Sequence, residues 1–234
     1  MTSARGTAGA YYQITKPRMV YGNLLVAAAA MAYATESLDW ALLAWMLGGL
    51  GCVIASACVF NNVYDRHMDA KMERTRERAL VRGDVSVQGA LVFGRVLLAL
   101  GLAILFFFTN LVALGAALAG FVAYVFLYSP LKHYSPYALY VGAVAGATPP
   151  LVGYAAGAGM LDYQAVLLFA FLFVWQVPHF LAIAVYRHDE YAAAEVPLFM
   201  RGPYSVRQKS IARGIFYLSL LVLLLWCVWL ATSQ

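Results

Sequence analysis

The sequence predicts an all-α fold, a polytopic membrane helix bundle of about seven transmembrane helices in one domain over residues 1–234. Three observations predict it. Of the residues, 63% are hydrophobic and only 12% are charged, whereas ordinary soluble domains carry about 25% charged residues. Mean hydropathy is +0.73. The apolar residues gather into runs of membrane-spanning length, about 17–25 residues each.

The runs lie near 19–35, 40–60, 88–108, 110–128, 138–157, 164–184 and 211–231. Each is read as a helix, because lipid offers the backbone no hydrogen-bond partner. None shows the sustained alternation of a membrane strand. Arg5, Lys16 and Arg18 precede the first run. Arg66, Lys71, Arg74, Arg76, Arg78 and Arg82 separate the second from the third, and Arg95 lies a turn or two into the third. Lys132 follows the fourth, and Arg187, Arg201, Arg207, Lys209 and Arg213 surround the link from the sixth to the seventh. These are all 16 basic residues, and they share one side. The opposite loops hold Glu36, Asp39 and Asp162 and no Lys or Arg. The positive-inside rule makes the basic side, with the N-terminus, cytoplasmic. The net charge of +5 is therefore a topology signal before it is a nucleic-acid signal, and no nucleic acid is expected as a partner.

Residues 1–18 lack a compact apolar run with a cleavage site, so no signal peptide is expected and the first apolar segment should stay in the protein. Cys52, Cys58 and Cys227 all lie in apolar segments without a CxxC pairing, which reads as small buried hydrophobes rather than disulfides or a zinc site. The fifth run holds Gly142, Gly146, Gly153 and Gly157 with Pro149–Pro150. Glycines at this spacing let helices pack closely. The proline pair should break or kink the helix near mid-membrane. Tight packing is the preferred reading, and a cavity wall opened for a large ligand is the other.

The most informative stretch is NNVYDRHMDAKMERTRERALVRGDVS, residues 61–86. Asn61, Asp65 and Asp69 recur every four residues and form one stripe on a helix. Two carboxylates so placed repel unless a cation sits between them. Mg²⁺ suits such a site, since it is held by one or two carboxylates plus phosphate oxygens. Lys71, Arg74, Arg76, Arg78 and Arg82 follow at once as an anion cradle. Two further polar clusters share that side: Tyr128, Lys132 and His133, and then Arg187, His188, Asp189 and Glu190. Convergence of the three would let carboxylates hold metal, metal hold diphosphate, and cations neutralise the rest. The alternative is a set of solvated cytoplasmic loops, which is the better reading for Lys209 and Arg213. His179, within the sixth run, is costly at that depth and so a functional candidate. The alternative is an interfacial ring bonded to backbone freed by Pro178. Trp175, Phe180 and Tyr186 flank it and are either plain packing aromatics or the wall of an isoprenoid tunnel that steadies an allylic cation.

These residues carry a resemblance. NNVYDRHMDAKMERTRERALVRG resembles the first aspartate-rich motif of the UbiA superfamily of intramembrane prenyltransferases, in a form most similar to its haem-farnesylating branch. TKPRMVYGNLL (15–25), CVFNN (58–62), YSPLK (128–132), GAVAGATPPLVGYAAGAG (142–159), WQVPHFLAIAVYRHDEYAAAEVP (175–197) and the RG at 201–202 match in family order. The resemblance implies transfer of farnesyl from farnesyl diphosphate to a vinyl group of haem b, with Mg²⁺ as cofactor and diphosphate released. It implies a multi-pass protein of the cell inner membrane, working in the lipid bilayer. The oxidases that use the product, through haem A synthase or terminal oxidase assembly proteins, are the further partners it suggests. It implies Asp65, Asp69 and Lys132 as catalytic residues, and Asn61, Asp65, Asp69 and Asp189 as the metal set. Asn62, Arg66, Arg74, Arg78, Tyr128 and Arg187 would bind substrate. A substrate-binding role for His179 extends the resemblance rather than following from it.

Two departures stand out. His67 occupies a position where the family usually has aspartate, which removes one carboxylate. The family has nine membrane helices, whereas this chain is expected to hold seven. Within the same class, prenylation of another aromatic such as 4-hydroxybenzoate stays open. An inactive relative acting in oxidase assembly stays open too. A seven-helix transporter or receptor would place ionisable residues along an intramembrane path, whereas here they crowd one face.

Overall fold

Lys16 separates the first two helices by taking a left-handed backbone conformation, φ 52° and ψ 60°. That turn folds α1 (Thr7–Ile14) back under the bundle. Ala10 and Ile14 of α1 pack on Val59, Ala79, Leu80 and Ala90. Pro17 then opens α2 (Pro17–Tyr33), at a position where its missing N–H costs nothing. These relations come from a computed structural model that describes residues 6–200 and 202–233. Arg5 and Arg201, counted above among the basic residues, lie outside the described residues, as does the first residue of the RG pair.

α3 (Trp40–Asp69) is the longest helix, at 30 residues. Asp39 starts it by accepting from the Ala41 and Leu42 N–H groups at 2.8 and 3.1 Å. A 30-residue helix is about 45 Å long, some 15 Å more than a hydrocarbon core. The polar stripe therefore rides on the same rigid rod as the apolar run. α4 (Ala79–Arg82) follows, ended by Gly83 at φ 82°. α5 (Val87–Phe108), capped by Ser86, returns along α3. The two approach closely: a Cβ on Gly101 would meet the Gly49 carbonyl at 2.7 Å.

α6 (Leu111–Val122) runs into a π-helical segment, Ala123–Tyr128, and on into α7 (Ser129–Leu131). The Tyr124 carbonyl takes both the Ser129 N–H and the Ser129 hydroxyl, the latter at 2.9 Å. The fifth expected span is two helices, α8 (Ala138–Gly146) and α9 (Pro149–Ala158), broken ahead of the proline pair as the sequence predicts. Both readings of its glycines have a part. Gly153 lets α9 touch α2, where a Cβ would fall 1.9 Å from the Ala27 carbonyl, while Gly142 and Gly146 line a cavity. α10 (Tyr163–Tyr186), α11 (His188–Ala193) and α12 (Val206–Thr232) complete the described chain. Ser205 and Gln208 form a capping box that starts α12.

Among the described residues the fold is all helix, with no strand. Five segments are long and apolar enough to cross a membrane: Trp40–Asp69, Val87–Phe108, Leu111–Leu131, Tyr163–Tyr186 and Val206–Thr232. The expected count of seven is not reached by that criterion. α2 has only 17 residues and the α8–α9 pair is interrupted. One core cluster joins α2, α3, α5, α6 and α9 around Met31, Met46, Leu105 and Phe121. A second joins α2, α9, α10 and α12 around Tyr154, Leu172, Cys227 and Leu230.

Candidate active site

The stripe predicted on α3 faces inward. Asn61, Asp65 and Asp69 are each buried, at 1%, 2% and 2% exposure. Buried carboxylates need partners, and each has one from a different part of the chain. Lys132, just after α7, donates to Asp65 Oδ2 at 2.5 Å. Arg78, ahead of α4, donates to Asp69 Oδ2 and, at 3.3 Å, to Asn62 Oδ1. Asn62 is itself fixed by donating to the Ile14 carbonyl at 2.6 Å. Asn62 thus aims Arg78 from behind rather than facing the cavity.

Asp65 Oδ1 is buried without a hydrogen bond. His133 Nε2 is 3.4 Å away but equally unbonded, so the two do not align. A buried carboxylate oxygen left without a hydrogen bond, beside a second carboxylate one turn along, fits a hard cation with oxygen ligands.

Asn61 is held by two residues. Its Nδ2 donates to Ser129 Oγ at 3.0 Å, which turns its oxygen toward Lys16, and Lys16 Nζ donates to that oxygen. Lys16 and Lys132 differ electrostatically. Burial pushes the Lys16 ammonium down to about 8, because its direct partner is a neutral amide and Asp65 pulls only at longer range. Burial also works against the Lys132 charge, but Tyr128 and the paired Asp65 outweigh it and hold Lys132 above the ordinary lysine value.

These groups line a cavity of about 290 Å³. Arg74 reaches it as well, while also donating to Glu190 Oε2 at 3.2 Å. Tyr124, Tyr128 and Phe180 form its inner wall and also border a second cavity of about 370 Å³, mostly apolar, between α2, α3, α6, α9 and α10. Trp175, Gln176 and His179 line that second cavity, and Arg18 is its cationic residue. The segment 196–200 covers the polar cavity, with Phe199 packed edge-on against Tyr137 at 5.0 Å.

Some expected residues are not brought to this site. Asp189 is exposed and tied to Lys209 of α12, because α11 turns it outward. The four-member metal set therefore does not assemble, and among the described residues no group of three or more His, Cys, Asp or Glu could hold a metal. Arg187 pairs with Glu190 Oε1 at 2.8 Å and stacks on Tyr186, so it meets the site only through the Glu190 that it shares with Arg74. Arg66 bonds to His67 at 3.2 Å outside the cavity. His67 is itself exposed. The imidazole at the position where the resemblance implied a carboxylate is thus not in the wall. Lys209 and Arg213 are engaged by Asp189 and by the Tyr186 ring, as ordinary loop charges would be.

Lys16 and Gln176 line the cavities, and Ser129 stands behind Asn61, without having been expected there. A lysine immediately before a helix-opening proline was the available signal for Lys16. For Ser129 and Gln176 there was none beyond polarity in apolar surroundings.

The profile of the UbiA prenyltransferase family matches residues 23–234. A protoheme IX farnesyltransferase from Marinomonas sp. (strain MWYL1) is 44% identical over 190 residues, covering 80% of this chain and 64% of that protein. A protoheme IX farnesyltransferase 2 from Chromobacterium violaceum is 41% identical over 220 residues, covering 92% of this chain and 73% of that one. The chain thus spans about two thirds of the length of these relatives. A UbiA homolog from Archaeoglobus fulgidus, solved bound to DMAPP and Mg²⁺, superposes with a TM-score of 0.71 at 17% identity, covering 92% of this chain and 86% of that one. The helical bundle, its inward stripe and the family profile agree: the chain belongs to the UbiA prenyltransferase family.

Proposed function

We propose that this chain, acting as one domain over residues 1–234, transfers a farnesyl group from farnesyl diphosphate to a vinyl group of protohaem IX, giving haem O. The observation that carries this reading is the pair of cavities meeting at Tyr124, Tyr128 and Phe180, one lined by carboxylates and cations and the other apolar. A prenyl diphosphate has the same two halves. The names borne by relatives at 41–44% identity support the haem acceptor.

Asp65, Asp69 and the Asn61 oxygen are the residues that would hold Mg²⁺; when bound, the ion draws charge from the diphosphate oxygens and so eases departure of the leaving group. The cations of the chain do the rest. Lys132, Arg78, Arg74 and Lys16 neutralise the remaining diphosphate charge, which grows as the C1–O bond breaks. Arg187 acts through Glu190 to place Arg74. Tyr128, Tyr124 and Phe180 border the junction where the allylic cation forms, exclude bulk water and offer it aromatic faces. The vinyl carbon of the porphyrin then bonds to C1 of the farnesyl group. Water adds to the cation left beside the ring and loses a proton, so haem b, farnesyl diphosphate and water give haem O and diphosphate. The distribution of the basic residues supports an inner-membrane protein with its N-terminus and site on the cytoplasmic side. Haem A synthase or terminal oxidase assembly proteins are the receiving partners of such a product.

The test is expression in a bacterial membrane that lacks its own haem O synthase, with extracted haems separated and identified by mass. A haem O peak that disappears in Asp65→Ala supports the reading. Folded, inserted protein that yields no haem O overturns it.

A further inference from the structure

His179 sits in the wall of the apolar cavity, and its hydrogen bonds determine which ring nitrogen carries the proton. Its Nδ1 lies 2.7 Å from Ser219 Oγ on α12. The same hydroxyl donates to the Phe216 carbonyl, also at 2.7 Å. A serine hydroxyl has one proton and a carbonyl can only accept. Ser219 therefore has only a lone pair left for the imidazole, and Nδ1 must be the donor. The proton is then on Nδ1, and Nε2 carries a free lone pair.

The ring is also held in place. Trp175 stacks on it at 4.8 Å and 22°, and the Phe216 ring lies at 4.9 Å. Trp175 Nε1 donates to the Ser219 carbonyl at 2.9 Å, so one residue of α12 anchors both rings. Nε2 has no hydrogen-bond partner among the described residues, nor is it sealed off in the way that His133 Nε2 is. A plain packing histidine would not need a fixed tautomer, and this one lines a cavity with Nε2 left unpartnered. This is how metal-binding histidines are arranged: one nitrogen donates to a second group, which orients the ring and raises its basicity, and the other binds the metal.

We propose that His179 Nε2 is an axial ligand to the iron of protohaem IX, held on the α10–α12 side of the apolar cavity beside the prenyl chain, with Ser219 as its positioning residue. This rests on the haem reading given above, and it adds the atom that holds the acceptor. Ligation anchors the porphyrin at its centre and so fixes where its vinyl groups lie relative to Tyr124 and Tyr128. Arg18, which makes no ion pair among the described residues, is the cationic group of this lining and suits the propionates.

The test is titration of the purified full chain with ferric protohaem, followed by its absorption spectrum, and in parallel with iron-free protoporphyrin IX, followed by fluorescence. The wild-type chain is expected to give a histidine-ligated Soret band. His179→Ala should lose that band and bind haem at least roughly tenfold more weakly, as loss of a metal-site group does. Added imidazole should restore the band, and iron-free porphyrin should bind both chains alike. Ser219→Ala, which leaves the ligand in place, should weaken haem binding by about tenfold without touching the iron-free porphyrin. A wild-type spectrum that survives in His179→Ala overturns the ligation while leaving the substrate reading intact. Equal losses for both porphyrins would make His179 a packing residue and overturn it too. A wild-type chain that binds neither porphyrin overturns the haem reading and the ligation together.

Discussion

Lys132 Nζ donates to Asp65 Oδ2 across 2.5 Å, tying the end of α3 to the turn after α7. Both side chains are largely buried, at 20% and 4% exposure. Removing one member of such a pair strands the other charge, at a cost of roughly 3–5 kcal/mol, whereas removing both costs far less. Lys132→Ala should therefore melt well below wild type in detergent. The double variant Lys132→Ala with Asp65→Asn should recover part of the loss. A double variant no more stable than the single one would mean that the pair is not coupled.

Asp65→Ala and Asp69→Ala should abolish turnover while the protein still inserts. Lys132→Ala should weaken diphosphate binding more than haem binding, since its ammonium faces the polar cavity alone. Asp189→Ala should leave turnover and its Mg²⁺ dependence within a few-fold of wild type, because that carboxylate is outside the cavity and paired with Lys209. Loss of activity in Asp189→Ala equal to that in Asp65→Ala would require α11 to swing inward during the reaction.

Lys16 combines a half-buried charge with a left-handed backbone, φ 52°. Glycine adopts that conformation freely, while other residues are strained there by about 1–2 kcal/mol. Lys16→Gly should keep or raise the melting temperature and yet bind diphosphate more weakly by about tenfold, the loss of one charged hydrogen-bonding group. A matching loss of stability and binding would make Lys16 structural.

Gly153→Ala tests the α2–α9 contact. The added Cβ would sit 1.9 Å from the Ala27 carbonyl, a backbone atom that cannot turn away. Overpacking of this kind costs about 1–3 kcal/mol or more, seen as a lower melting temperature. Gly22→Ala is the control, since nothing lies within 4 Å of its Cβ. Equal behaviour of the two would mean that α2 and α9 are not in contact.

The amino-acid sequence by itself determined the features that are local. Hydropathy runs marked the helices, because a segment must satisfy its own backbone in lipid. The four-residue spacing of Asn61, Asp65 and Asp69 placed them on one face, because helical periodicity depends only on neighbours along the chain. The proline pair broke the fifth run for the same kind of reason. Tertiary structure alone decided which charges meet. Lys132 is 67 residues from Asp65, Lys16 is 45 from Asn61, and Ser219 is 40 from His179. No spacing rule connects positions so far apart, since their contact depends on how helices pack. Packing likewise turned Asp189 and Arg66 away from the cavity, although their motifs resemble those of the residues that face it. The tautomer of His179 belongs here too: it is set by a hydroxyl on another helix, whose own proton is already committed to a carbonyl.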